Sequence, residues 1–180
     1  SVRSGAKCSR PGMIETVLNV GLNDQSLKGL VERSGDPRFA WDSYRRLLQM
    51  FGKTVLGIEA EAFDSHLEAA KAAKGTTSDL GLEAADLQIL VETFKDVILA
   101  ETGMPFPQEP VEQLREAVRA VFRSWNTDRA RLYRRQEKIS NDLGTAVNVM
   151  AMVFGNLGDN SGTGVAFTRN PFSGTKELYG

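Results

Sequence analysis

Two glycine-rich segments hold the residues best suited to chemistry. The first is Val2-Arg3-Ser4-Gly5-Ala6-Lys7-Cys8-Ser9-Arg10-Pro11-Gly12, an extended stretch that gives way to a loop of Gly, Ser and cations. Glycines let backbone N–H groups converge on an anion, and a guanidinium such as that of Arg3 grips an anion through two nitrogens. The second is Gly155-Asn156-Leu157-Gly158-Asp159-Asn160-Ser161-Gly162-Thr163-Gly164, four glycines in ten residues. Such a loop can fold closely around phosphates. It is neither a Walker loop nor a dinucleotide fingerprint, because the GK[ST] and GxGxxG spacings are absent. An ordinary hairpin connection has the same look, and a lone arginine is usually a solvated surface group. Spacing alone leaves these readings open. Two such segments together favour an anion site, because nucleotide sites draw donors from more than one stretch of chain.

Other candidates carry less. His66 lies between Phe63 and Leu67 with no second His or Cys nearby, so it reads as a surface or half-buried helix residue. Cys8 sits in a cationic loop, a setting that activates thiols, yet nothing in the sequence pairs it with that histidine. Met150 and Met152 alternate on a predicted strand and read as core. Arg129, Arg131, Arg134, Arg135 and Lys138 form a basic cluster. It reads as a solvated helix face or, alternatively, as a docking surface for a partner domain. The dipole of a helix start alone explains Glu109 and Glu112.

The elements that must position these residues are mostly helices. Asp36-Pro37 is a cap with a first-turn proline. Trp41, Tyr44, Leu47, Leu48 and Phe51 then recur at helical spacing, and Gly52 is expected to stop the run. Further helices are predicted over about 59–74, 83–101, 110–125 and 128–137, with Gly75 and Gly103 as C-caps of the first two. Each carries a single apolar stripe, which implies a small helical bundle. The ends differ. Ser1-Val2 reads as the tail of a strand, and residues 144–154 as a strand covered on both faces. Residues 165–168 and 176–179 read as a hairpin around the Asn170-Pro171-Phe172-Ser173-Gly174 turn.

Composition supports that division. The chain has 180 residues, 41% hydrophobic and 25% charged, with 22 basic against 23 acidic side chains for a net charge of −1. These are ordinary globular values. They give no global field for nucleic acid, and no apolar run approaches the ~20 residues of a membrane span. One cysteine precludes an intrachain disulfide and fits a reducing compartment. Of 17 glycines, five fall in residues 1–35 and seven in 144–180. The ends are therefore a different kind of structure from the middle. The expected fold class is α+β. Residues 1–23 and 139–180 supply strands and glycine loops, and residues 24–138 form a helical subdomain.

Several longer strings are more specific. Val2-Arg3-Ser4-Gly5-Ala6 with Pro11-Gly12-Met13, then Thr16-Val17-Leu18-Asn19-Val20-Gly21-Leu22-Asn23-Asp24, resemble the N-terminal nucleotide-binding domain of the pyruvate, phosphate dikinase family. So do Val121-Phe122-Arg123-Ser124-Trp125 with Tyr133-Arg134-Arg135, and Met152-Val153-Phe154-Gly155-Asn156 continuing through Gly158 to Pro171. The likeness runs in order along essentially the whole chain. Phosphoenolpyruvate synthases share the VRS start but not the rest as written here.

The resemblance implies an incomplete ATP-grasp-like fold with a helical insert. It implies an enzyme that makes phosphoenolpyruvate, AMP and pyrophosphate from pyruvate, ATP and phosphate, with Mg²⁺. In such enzymes the nucleotide domain phosphorylates a histidine on a swivelling carrier domain, which serves a separate pyruvate-binding barrel. By resemblance, Arg3 binds ATP and the phosphate loop falls on Asp159, Asn160, Ser161, Gly162, Thr163 and Gly164. The resemblance also implies an adenine-contacting strand around Ala151 to Val153, which includes Met152. The resemblance implies that the family's lysine falls upstream of these residues and its acidic metal ligands and late arginine downstream of them, and His66 does not match the carrier histidine. The expectation is therefore a fragment, inactive alone, of a cytoplasmic, homodimeric enzyme with no nucleic-acid or membrane partner. The alternatives are a helical module that docks the carrier domain, or a diverged dikinase with another acceptor.

Overall fold

The computed structural model describes residues 1–5 and 16–180. The Lys7, Cys8 and Arg10 part of the first glycine-rich segment lies outside the described residues. Among the described residues the strands and α-helices follow in the order β1 (Val2–Ser4), β2 (Thr16–Val17), α1 (Ser26–Ser34), α2 (Pro37–Phe51), α3 (Glu61–Ala73), α4 (Ala84–Thr102), α5 (Pro110–Ser124), α6 (Asp128–Gln136) and β3 (Val147–Val149). The fold is thus mainly helical, with one small antiparallel sheet in the order β2-β1-β3.

The helices begin and end where local chemistry directs. The Asp36 carboxylate accepts from the Phe39 N–H at 3.0 Å, and Pro37 opens α2. Glu83 and Asp86 form a reciprocal capping box on α4, and Gly103 closes it with φ 71°. Gly52 does not stop α2. The chain winds on through a wider π turn, Gly52–Leu56, and ends at Gly57, whose φ is 75°. Position 52 lacks a side chain for another reason: a Cβ there would stand 2.3 Å from Cζ of Phe63. Close packing of α3 explains this glycine. Helix α1 was not among the expected elements. Its signals are Leu27, Leu30 and Val31 at helical spacing, and the Asn23 Oδ1 that accepts from the N–H groups of Gln25 and Ser26.

One core joins helices and sheet. Tyr44, Leu47, Leu48 and Phe51 of α2 meet Leu87, Val91, Phe94 and Ile98 of α4, and Val2 and Val17 belong to the same cluster. Phe106, in the Pro-flanked connection before α5, meets Phe51 edge-on at 5.3 Å. Phe63 meets Phe94 in the same way at 5.1 Å. The fully buried Gln113 of α5 stitches the β2–α1 link into place. Its Oε1 accepts from Gly21 N–H at 2.8 Å, and its Nε2 donates to the carbonyls of Leu22 and Pro107.

A buried ion network ties α2 to the turn before α4. Arg45 donates from Nη2 and Nε to the Asp42 carboxylate at 2.6 and 2.9 Å, and Arg46 Nε reaches its other oxygen at 2.8 Å. Asp79 adds a second carboxylate 3.2 Å from Arg45. Burial pushes the Asp42 carboxyl up, but the guanidinium groups of Arg45 and Arg46 outweigh it and hold its pKa below the usual value. Asp42→Asn leaves the buried Arg45 with the more distant Asp79 carboxylate alone and should cost about 3 kcal/mol at neutral pH by urea unfolding. A depressed carboxylate contributes stability above its unfolded pKa, and loses it as pH falls through the folded value. The gap between variant and wild type should therefore close only below about pH 4. An equal gap throughout the acid range would rule out this linkage.

The C-terminal strands are shorter than expected. Of residues 144–154 only Val147–Val149 form a strand, and Val149, Met150 and Val153 are exposed at 59%, 58% and 90%. Met150 is therefore not core. The predicted hairpin reduces to one bridge, Phe167 with Tyr179. Phe122 of α5 is half exposed. An apolar run becomes a strand only where a neighbour takes its backbone hydrogen bonds. Here β3 has β1 on one side alone.

Candidate functional site

Strand β1 places Arg3 at the centre of the sheet. The register sets Arg3 opposite Thr16 of β2 and Asn148 of β3, and Val2 opposite Val17 and Val149. Side chains alternate across a strand. Val2 and Val17 enter the core, so Arg3, Thr16 and Asn148 share the outer face. Arg3 is exposed there, and its side chain has no ion pair among the described residues. The ladder runs past the strand ends: Ser1 and Met150 exchange backbone hydrogen bonds of 2.7 and 2.9 Å, and Gly5 N–H donates to the Ala146 carbonyl at 2.7 Å. At Gly5 a Cβ would stand 2.9 Å from Asn148 Nδ2. The Asn148 amide therefore lies over Gly5, two residues on from Arg3. Asn148 was absent from the expected site. Its signal was polarity between Val147 and Val149, which marks an outward position on a strand.

Strand β3 leads directly into the second glycine-rich loop. Met152 is half-buried. Two residues on, Phe154 meets Phe39 at the start of α2 edge-on, 5.1 Å between ring centres. That contact anchors the loop's entry to the helices. At Gly155 the loop closes on itself: a Cβ there would stand 1.7 Å from Thr163 Oγ1 and 2.8 Å from the Gly162 carbonyl oxygen. Residues 155 and 162–163 thus form a neck. Ser161 N–H donates to the Gly158 carbonyl at 2.9 Å, turning the tip. Asp159, Asn160, Gly162, Thr163 and Gly164 are exposed, and Ser161 is half-buried. Space is open where a Cβ would stand at Gly162 and at Gly164, and neither has a left-handed φ.

The structure thus gathers Asp159 to Gly164 into one closed loop and sets Arg3 beside the strand that leads to it. Among the described residues no hydrogen bond or ion pair joins Arg3 to the loop. Also among the described residues, no group of three or more His, Cys, Asp or Glu is placed to hold a metal ion.

Residues 1–179 of the 180 match the family described as "Pyruvate phosphate dikinase, AMP/ATP-binding domain". This chain belongs to that family. Among dikinase relatives it is 55% identical over 180 residues to pyruvate, phosphate dikinase of Rhizobium meliloti, covering 100% of this chain and 20% of that protein. It is 57% identical to the chloroplastic pyruvate, phosphate dikinase 1 of Oryza sativa subsp. japonica, covering 19% of that protein. To the Clostridium symbiosum pyruvate, phosphate dikinase it is 54% identical over 181 residues, covering 21% of it. The chain thus spans about a fifth of the length of these relatives. As a dikinase AMP/ATP-binding domain it agrees with the family expected from the VRSGA and GDNSGTGVAFTRNP strings. No helix among the described residues is long and apolar enough to cross a membrane.

Proposed function

We propose that this domain holds ATP on the outer side of its sheet, between Arg3 and the loop formed by Asp159, Asn160, Ser161, Gly162, Thr163 and Gly164. In this reading it is the nucleotide part of a pyruvate, phosphate dikinase. The whole enzyme turns pyruvate, ATP and phosphate into phosphoenolpyruvate, AMP and pyrophosphate through a phosphohistidine on a carrier domain elsewhere in the polypeptide. Residues 1–23 and 139–180 form the nucleotide-binding part on an incomplete ATP-grasp-like plan, and residues 24–138 the helical insert. Met152 flanks the adenine.

The observation that carries the site reading is the open space over Gly162 and Gly164. Nothing within the described chain requires glycine at either position. A ligand that approaches the backbone closely does require it. The exposed guanidinium of Arg3 supplies charge for developing negative oxygens, and backbone N–H groups of the loop supply oriented dipoles. Phosphoryl transfer needs such positioning and charge neutralisation more than covalent help from the protein. When bound, Mg²⁺ neutralises phosphate charge. The described residues offer it no carboxylate cluster, so the steps assigned to this chain are binding and orientation only.

The test uses the full-length protein. Gly164→Ala fits the fold without strain, so its melting temperature should match wild type. Its ATP affinity by calorimetry should fall roughly tenfold, the effect of crowding a packed contact by one methyl. Unchanged affinity would overturn the placement of the phosphates.

A further inference from the structure

We propose that the cavity beside α6 is a binding site for a phosphate-type oxyanion, gripped by the guanidinium groups of Arg131, Arg134 and Arg135. The cavity, half open to solvent, has a volume of about 450 Å³ and is lined by those three arginines with Asn126, Ile139 and Asn141. Among the described residues no carboxylate lines it. Arg134 is the central group and is only 4% exposed. Its guanidinium stacks on the Trp125 ring, 4.1 Å from the centroid. Nε donates to Asn141 Oδ1 at 2.9 Å, and Nη1 to the Trp125 carbonyl at 2.5 Å.

Those partners orient the guanidinium but leave its charge intact. Both acceptors are neutral, and among the described residues no carboxylate pairs with Arg131, Arg134 or Arg135. A buried cation is ordinarily matched by an anion, because desolvation without a counter-charge is costly. The other buried arginine shows the usual solution: Arg45 is met by both Asp42 and Asp79. The Arg134 cavity repeats the burial and omits the acid, while two further guanidinium groups crowd the same space. The stack on Trp125 and the two hydrogen bonds hold the planar fork in place before any ligand arrives, which lowers the ordering cost of binding. Asn126 and Asn141 add amide groups that suit a polyoxygen anion.

This site is separate from the nucleotide loop proposed above, and the test keeps the two apart. The probe is inorganic phosphate, titrated by calorimetry into the full-length protein with and without saturating ATP. Arg131→Gln with Arg135→Gln removes two exposed guanidinium groups and spares the buried one. Phosphate affinity should fall roughly tenfold or more, the loss of charge-assisted hydrogen bonds, while ATP affinity is unchanged. Arg129→Gln is the control, since this exposed arginine of the same helix does not line the cavity. Three outcomes overturn the proposal. Phosphate fails to bind wild type, as when a carboxylate from another part of the protein fills the cavity. Arg129→Gln weakens phosphate as much as the double variant does. Or ATP displaces the phosphate while the double variant binds it normally, which would put the anion on the glycine loop and leave the nucleotide reading intact.

Discussion

Replacing Arg3 with alanine in the full-length protein is expected, on the proposed dikinase reading, to slow ATP-dependent phosphorylation of the carrier histidine roughly a hundredfold or more, the usual cost of losing a preorganised charge donor in a transition state. The fold should not notice. Arg3 is exposed on the outer face of β1, with no ion pair among the described residues, whereas its neighbour Val2 is fully buried and anchors the strand. Single-turnover formation of phosphohistidine from ATP, read beside a thermal melt, separates the two effects. Arg3→Lys is the informative companion. It keeps the charge but loses the bidentate fork, and should recover only part of the rate. Unchanged single-turnover chemistry in Arg3→Ala would remove this residue from the site.

Gly155→Ala is the second large effect. The new methyl would meet Thr163 Oγ1 at 1.7 Å and the Gly162 carbonyl at 2.8 Å, so the neck of the loop must open. Forced overpacking costs about 3 kcal/mol, close to a hundredfold in ATP affinity if the closed loop is the binding form. Adding Thr163→Ala clears the hydroxyl but not the Gly162 backbone, and should not restore binding. Because the loop is exposed, the main unfolding transition should stay near wild type. ATP binding with wild-type affinity in Gly155→Ala would show that the closed neck is not the binding form.

Several features were legible from residue order. Asp36-Pro37 announced α2, and Gly103 ended α4, because caps act within a few residues. The VRSGA and GDNSGTG strings pointed to the family without any structure. Gly52 misled for a physical reason: a glycine between two helical stripes looks like a stop, and its actual cause is the Phe63 ring eleven residues away, folded against it. The strands after residue 150 misled because apolarity reports a tendency to be buried and does not name the strand that will pair. The second ion-pair partner of Arg45 was equally hidden, since Asp79 lies in a separate turn.

Sequence by itself determined the helical middle, the glycine-rich ends and the family. These depend on local caps, periodicity and side-chain type. Only the tertiary structure set Asn148 across from Arg3, closed the loop at Gly155 and sealed Arg134 against Trp125 with no carboxylate partner among the described residues. Each of these joins residues distant along the backbone or depends on which groups folding leaves out, and neither is written in spacing.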